Sequence, residues 1–116
     1  MEDKLIELLE TLCPVVLRQG SLAENEDYPA QTFFTFWNNE ESEQSAYDNQ
    51  TTSVLYNFDV NVYSTDPATT YDLLRSARQL LKENGFVALS RGYDVASDET
   101  AYTGRGMNVS ILNNEN

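Results

Sequence analysis

The sequence is poor in the side chains that most often carry catalysis and metal binding. It contains no histidine and one cysteine, and its 7 lysine and arginine residues face 19 aspartate and glutamate residues. Without histidine, one chain cannot form a Ser-His-Asp triad, a Cys-His pair or a histidine-ligated metal centre. The formal net charge of −12 opposes binding to phosphate backbones and to anionic membrane surfaces, because both require a basic footprint.

Cysteine use and hydropathy bear on the compartment in which the chain works. Cys13 has no partner for an intramolecular disulfide, and its place at the end of an apolar helical pattern predicts a buried, inert thiol. The longest apolar run, 12–17, is far shorter than a membrane span. The start of the chain lacks the basic and apolar regions of a signal peptide. We therefore expect a protein made and first used in a reducing cytoplasm, without membrane contact.

The first half of the chain predicts one helix and three strands around a polar stretch. Apolar residues at helical spacing predict a helix over 3–13, ended by a proline. Residues 15–17 and 31–38 predict strands because β-branched and aromatic side chains dominate them. Residues 39–52 have no apolar period, which predicts a polar loop or an insertion. In Ser53–Tyr63 strict alternation predicts a strand with one buried and one wet face.

The second half begins with the best-marked helix. Asp66 is placed to cap its free N–H groups, and Pro67 suits the first turn. Gly85 followed by Phe86 predicts a Schellman ending, with the glycine left-handed. Its buried stripe is predicted to be Leu73, Leu74, Ala77, Leu80 and Leu81. The remaining predictions are strands over 86–91 and 107–112, a turn-rich link over 92–99 and a frayed tail over 113–116.

These elements predict an α+β fold. Long alternating strands favour an antiparallel or mixed sheet of four to five strands, with the two helices packed on one face. The 116 residues suffice for one modest core, so we expect a single domain spanning 1–116.

Carboxylates are the main reactive groups available, and they cluster in polar stretches. One cluster comprises Glu40, Glu41 and Glu43, and a second comprises Asp94, Asp98 and Glu99. Glycosidase chemistry needs two carboxyls across a cleft with one pKa raised by burial, whereas clusters in polar loops are solvated. Neither cluster has the glycine and ligand spacing of a calcium loop. We therefore predict an acidic surface with no catalytic, cofactor or metal site.

Basic residues are few and gather on the second helix. Arg75, Arg78 and Lys82 share one stripe there, whereas residues 24–48 carry seven acids and no base. A solvated helix face is the ordinary interpretation, but separate basic and acidic patches also suit a head-to-tail interface. Arg105 lies between two glycines, which indicates either a β-bulge or tight strand start, or close approach to a partner's carboxylate. Trp37 ends an aromatic run that alternation cannot bury completely.

The stretch from Tyr56 to Leu112 resembles the tail terminator proteins of long-tailed bacteriophages and related prophages, also called tail-completion or neck proteins. The segments that carry the resemblance are the strand Phe58-Asp59-Val60-Asn61-Val62-Tyr63, the helix opening Asp66-Pro67, then Asn84-Gly85-Phe86, Gly92-Tyr93-Asp94-Val95 and Tyr102-Thr103-Gly104-Arg105-Gly106-Met107. A short amphipathic first helix also suits this family. These segments cover about half of the chain, and the family has no catalytic signature.

The resemblance implies a non-enzymatic virion protein that works in the neck region and assembles in the host cytoplasm. Such proteins form a hexameric ring that caps the tail tube protein and joins it to the head connector or head-closure protein, and DNA passes through without specific binding. On this hypothesis the acidic loop over 39–52 lines the lumen of the ring and repels the phosphates of DNA. The basic stripe of the second helix serves contacts between subunits. The predicted lumen residues are Glu40, Glu41, Glu43 and Asp48. The predicted interface residues are Arg75, Arg78, Lys82, Arg105 and Trp37.

Two other function classes remain open at the level of sequence. A small acidic domain also suits an inhibitor that mimics DNA and blocks a host DNA-binding protein. Mimicry spaces carboxylates along one face like phosphates, whereas here the acids bunch in loops. An enzyme with a carboxylate pair would need a concave site and a carboxyl whose pKa is strongly raised.

Overall fold

The described part of the chain forms one mixed sheet of five strands and two helices. A computed structural model describes residues 1–18, 30–45, 52–97 and 101–115. The elements are α1 (Glu2–Glu10), β1 (Val16–Arg18), β2 (Thr32–Ser45), β3 (Thr52–Ser64), α2 (Pro67–Glu83), β4 (Tyr93–Val95) and β5 (Thr103–Glu115). The strand order is β1-β2-β3-β5-β4, with β1 parallel to β2 and every other pair antiparallel. The predicted α+β class with an antiparallel or mixed sheet is confirmed.

The alternation of β3 explains the position of the core. Phe58, Val60 and Val62 point to one face, are fully buried, and pack with apolar side chains of both helices. The helix residues at the centre of that cluster are Leu5, Leu9, Leu74, Ala77 and Leu81. The two helices therefore cover one face of the sheet, as the sequence predicts. Neither described helix has the length and apolar content that crossing a membrane requires.

The opposite face of the sheet has a small aromatic cluster at one end. Phe33 is 1% exposed and stacks on Tyr63 with ring centroids 5.4 Å apart. Tyr102 meets the same ring edge-on at 6.2 Å, and its hydroxyl donates to the carbonyl oxygen of Ala30 at 2.8 Å. Of the aromatic run in β2, only Trp37 stays substantially exposed, at 45%.

Both ends of α2 follow the sequence signals. The Asp66 carboxylate accepts from the Ala68 N–H at 3.1 Å, and Pro67 occupies the first turn. At the other end the Phe86 N–H donates to the Leu81 carbonyl at 3.0 Å, while Gly85 has a φ of +94°. This is the predicted Schellman ending, in which a left-handed glycine folds the following apolar residue back.

The predicted polar loop over 39–52 is strand at its described positions, 39–45 and 52, whereas 46–51 lie outside the described residues. Residues 39–45 continue β2 and pair with β3 in register, apart from a bulge between Asn38 and Glu40. Residues 113–115, predicted to fray, likewise continue β5 and pair with β3. Polar side chains tolerate this because pairing between the strands satisfies the backbone groups of both. Asp48 lies outside the described residues.

The segment 86–91 forms almost no sheet, although a strand is predicted there. One isolated bridge joins Val87 to Ser110 of β5. The carbonyls of Ala88 and Ser90 instead accept hydrogen bonds from the Arg78 guanidinium of α2. The predicted link over 92–99 in turn contains the short edge strand β4.

Candidate functional site

A groove rich in arginine lies between α2 and the edge of the sheet formed by β4 and β5. Its volume is about 500 Å³, and four of the seven basic residues of the chain line it. We call it the arginine groove, and its lining residues are Tyr71, Arg75, Arg78, Gln79, Arg91 and Arg105. Such a concentration of positive charge is unexpected in a chain with a net charge of −12.

The fold assembles the groove from three separate segments. Arg75 and Arg78 are three residues apart on α2 and therefore share one helix face. Arg105 of β5 pairs with Val62 of β3, which places its side chain on the helix-covered face. Gly92 brings the third segment close: its φ is +123°, and a Cβ there would lie 2.6 Å from Leu74 Cδ2. The close approach of this segment to α2 therefore requires glycine.

Arg105 is a largely enclosed basic side chain of the groove. Its side chain is 13% exposed, and Nη1 lies 3.1 Å from Asp94 Oδ1. The guanidinium carbon lies 4.1 Å from the centre of the Tyr71 ring, a cation–π arrangement that stabilises a desolvated charge. The carboxylate that Arg105 contacts thus belongs to its own chain and lies on the neighbouring strand.

The two glycines beside Arg105 serve the opposite face of the sheet. A Cβ on Gly104 would lie 2.8 Å from Tyr63 Cε1, and one on Gly106 would collide with Asn61 Oδ1. The β3–β5 register runs without interruption through both glycines, so of the two structural alternatives the bulge is wrong, and the glycines lie at the tight start of β5. These glycines allow the side chains of Tyr63 and Asn61 on β3 to cross over β5, a close approach that favours glycine.

The other basic side chains of the groove differ in how many hydrogen bonds and ion pairs they form within the chain. Arg78 Nε donates to the Ser90 carbonyl at 3.0 Å, and Nη2 donates to the Ala88 carbonyl at 3.2 Å. Arg75 forms an ion pair of 3.0 Å with Asp72, but the two side chains are 76% and 72% exposed. Such an exposed pair contributes little stability. Arg91 has no ion pair or side-chain hydrogen bond within the described residues.

The groove offers binding chemistry. Guanidinium groups donate paired hydrogen bonds to carboxylates and phosphates, which gives both strength and orientation. In the described ranges no three His, Cys, Asp or Glu side chains lie close enough to hold a metal ion. Burial raises the pKa of Tyr93, and the Asp59 carboxylate raises it further. An anion, either a carboxylate or a phosphate, is the ligand that these side chains suit.

The remaining predicted site residues are spread over the molecule. Lys82 is exposed on α2 beyond the groove, and Trp37 lies on the face of the sheet that the helices leave uncovered. Glu41 and Glu43 pair with Tyr56 and Val54 and so point to the helix side, whereas Glu40 points to the other side. The three glutamates therefore do not share one face, because successive side chains of a strand alternate, and the bulge between Asn38 and Glu40 decides which face each one takes.

Sequence reasoning missed three groove residues: Arg91, Tyr71 and Gln79. Arg91 is isolated from other basic residues along the chain, and the fold alone brings it to α2. The glycine that follows Arg91 was a local signal for a sharp change of direction. The sequence did, however, place Arg75, Arg78 and Arg105 among the interface candidates, and the structure brings these three together.

The fold is similar to that of a chain in the solved virion of a native gene transfer agent (GTA) particle. The similarity covers 96% of this chain and 92% of that chain, with a TM-score of 0.53 and a sequence identity of 13%. At this identity the likeness concerns the fold. Neither a protein-family model nor a curated protein matches the sequence.

Proposed function

We propose that this protein is a structural, non-enzymatic virion protein that forms a ring at the head-proximal end of a phage-type tail. The ring ends the tail tube and joins it to the head connector or head-closure protein. The observation that carries the proposal is the fold likeness, which spans nearly the whole of both chains and leads to a virion particle. The resemblance of Tyr56–Leu112 to tail terminator proteins agrees with it and adds the specific position in the neck.

The distribution of charge supports self-assembly. A ring needs heterologous contacts, in which one surface of a subunit meets a different surface of the next. The arginine groove supplies a positive surface, and the outer part of β2 supplies a negative one. Arg75, Lys82 and Trp37 are exposed and suit subunit contacts directly. Arg78 and Arg105 already hold segments of their own chain, so they support the shape of that surface.

The proposed lumen needs an acidic lining that repels DNA phosphates, so that the duplex slides without specific binding. The sequence assigned this role to Glu40, Glu41, Glu43 and Asp48. Glu40 points away from Glu41 and Glu43. These three glutamates therefore cannot line the lumen together, because only one face of the strand can face it. We propose the face that carries Glu40, with Asp59 further along the same side of the sheet.

The test is the mass of the protein over a concentration series by native mass spectrometry, with electron microscopy of the largest species. The same protein is then mixed with isolated tail tubes that lack a terminator. We expect a closed ring of about six subunits, in solution or on one end of each tube. A protein that stays monomeric and leaves the tubes uncapped contradicts the proposal.

An inhibitor that mimics DNA is the alternative. Mimicry requires carboxylates in a row, whereas Glu40 and Glu41 project to opposite faces of β2. The structure thus favours assembly over mimicry. A strict monomer that binds a DNA-processing protein through its acidic surface would reverse this preference.

A further inference from the structure

We propose that the arginine groove binds the acidic arm of a second copy of this chain. The acidic arm is residues 40–45 of β2, and its groove-binding face carries Glu41 and Glu43. The inference rests on the proposed ring and deepens it, since it names the two surfaces through which neighbouring subunits meet.

The arginine groove carries more positive charge than its own carboxylates neutralise. Asp72 pairs with Arg75 and Asp94 pairs with Arg105, so two carboxylates oppose the four guanidinium groups that line the groove. Arg91 has no side-chain partner within the part of the chain that the structure describes, and Arg75 is largely exposed. Both guanidinium groups can therefore turn toward an incoming carboxylate without breaking a buried contact.

The acidic arm carries the matching charge. Glu41 and Glu43 are two residues apart on one strand, so their side chains project from the same face about 7 Å apart. Both are exposed. Glu41 accepts a hydrogen bond of 2.7 Å from the Asn38 amide, and no ion pair of the described residues involves either glutamate.

The arm of one chain cannot reach the groove of the same chain. Arg105 pairs with Val62 of β3, whereas Glu43 pairs with Val54, eight residues away on that strand. At about 3.3 Å per residue, the Arg105–Val62 pair and the Glu43–Val54 pair lie about 26 Å apart along the sheet. An ion pair requires about 4 Å. The carboxylates therefore have to come from another molecule.

The geometry also makes the contact directional. Groove and arm lie on the same face of the sheet but near opposite ends of its long strands. Each copy thus offers its groove to one neighbour and its arm to another, which is a heterologous contact that closes into a ring or continues as a filament. Local pairing of this kind also offsets the repulsion between chains that each carry a net charge of −12.

The test reverses charge on each surface separately. The groove variant is Arg75→Glu/Arg91→Glu, and the arm variant is Glu41→Lys/Glu43→Lys. Each variant alone should weaken self-association by more than about hundredfold, because like charges then meet at the contact. An equimolar mixture of the two should restore assembly, since every groove then meets an arm of opposite charge. Native mass spectrometry of the mixture should find equal numbers of the two chains.

The controls lie next to the mutated residues. Ser76→Glu adds a negative charge at an exposed residue of α2 outside the groove, and Glu40→Lys changes the same strand as the arm variant but on its other face. Both should assemble like the unmodified protein, and circular dichroism should show all variants folded. The proposal is overturned if the groove and arm variants assemble normally, or if the mixture fails to recover. It is also overturned if the groove variant loses binding to duplex DNA while self-association stays unchanged.

A second measurement separates this contact from the ring itself. Gln79→Cys in the groove wall and Val54→Cys opposite Glu43 retain every charge, and the two variants are mixed under oxidising conditions. A crosslinked dimer supports the contact even if no ring forms, whereas the pair Gln79→Cys and Ser42→Cys, on the other face of the arm, should stay uncrosslinked. Rings without the Val54 crosslink retain the proposed function and refute the contact. If neither rings nor crosslinks form, the proposed function and the proposed contact are both refuted.

Discussion

Arg78 ties α2 to the segment 86–91, and Arg78→Ala removes both hydrogen bonds of that tie. A hydrogen bond with a charged partner contributes about 1.5–3 kcal/mol where solvent is excluded. The Ser90 carbonyl belongs to an exposed residue, so water replaces that bond, but Ala88 is buried. We therefore expect a loss of about 2 kcal/mol in the free energy of unfolding. In a domain of this size that corresponds to a fall of about 6–10 °C in Tm.

The assay is urea denaturation followed by the fluorescence of Trp37, the one tryptophan of the chain. Lys82→Ala is the matched control, because this side chain is exposed on the same helix and forms no described side-chain contact. It should change stability by less than about 0.5 kcal/mol. Arg78→Lys keeps the charge but loses the planar fork, so its stability should lie between the two. Equal midpoints for Arg78→Ala and Lys82→Ala would refute the reasoning.

Hydrogen exchange adds a local measure of the same tie. The Val87 N–H donates to the Ser110 carbonyl at 2.7 Å, and this bridge holds 86–91 against β5. Loss of the Arg78 contacts should speed exchange at Val87 while the amides of β3 stay protected. Because Arg78 serves the fold, reversal of its charge would disturb folding as well as assembly, which is why Arg75 and Arg91 are the better probes of the groove.

Three further outcomes are expected. Leu74 is 1% exposed, so Leu74→Ala leaves a cavity in the core, and calorimetry should find the free energy of unfolding lower by about 2–5 kcal/mol. Gly106→Ala drives a Cβ against Asn61 and should cost about 1–3 kcal/mol in the same assay, whereas a neutral result would contradict the packing described. Burial and the Asp59 carboxylate raise the pKa of Tyr93, so the unfolded chain loses this proton first. The free energy of unfolding should therefore fall as the pH rises above about 10. In an absorbance titration, Asp59→Asn should lower the pKa of Tyr93.

Local signals sufficed where a segment's structure depends on its own residues. The carboxylate of Asp66, the ring of Pro67 and the flexibility of Gly85 act on backbone within a few residues, so the ends of α2 were predictable. The alternation of β3 likewise records which face is buried, because successive side chains of a strand point to opposite sides.

Sequence reasoning failed where a distant partner decides the structure. Residues 39–45 have no apolar alternation, yet β3 pairs with them and makes them a strand. Residues 86–91 have a strand-like composition, yet Arg78 takes two of their carbonyls and leaves one isolated bridge to β5. Propensity weighs neighbours along the chain and cannot include such contacts.

The candidate site divides in the same way. The sequence alone predicted the excess of acidic residues, the basic stripe of α2 and Arg105 as an interface candidate, because composition, helical spacing and flanking glycines are properties of the chain itself. Only the tertiary structure brought Arg91 beside them, made the stretch that carries Glu40, Glu41 and Glu43 a strand, and separated the arginine groove from the acidic arm along the sheet. Those relations depend on strand register and on one close packing contact at Gly92, and neither is encoded in any short stretch of residues.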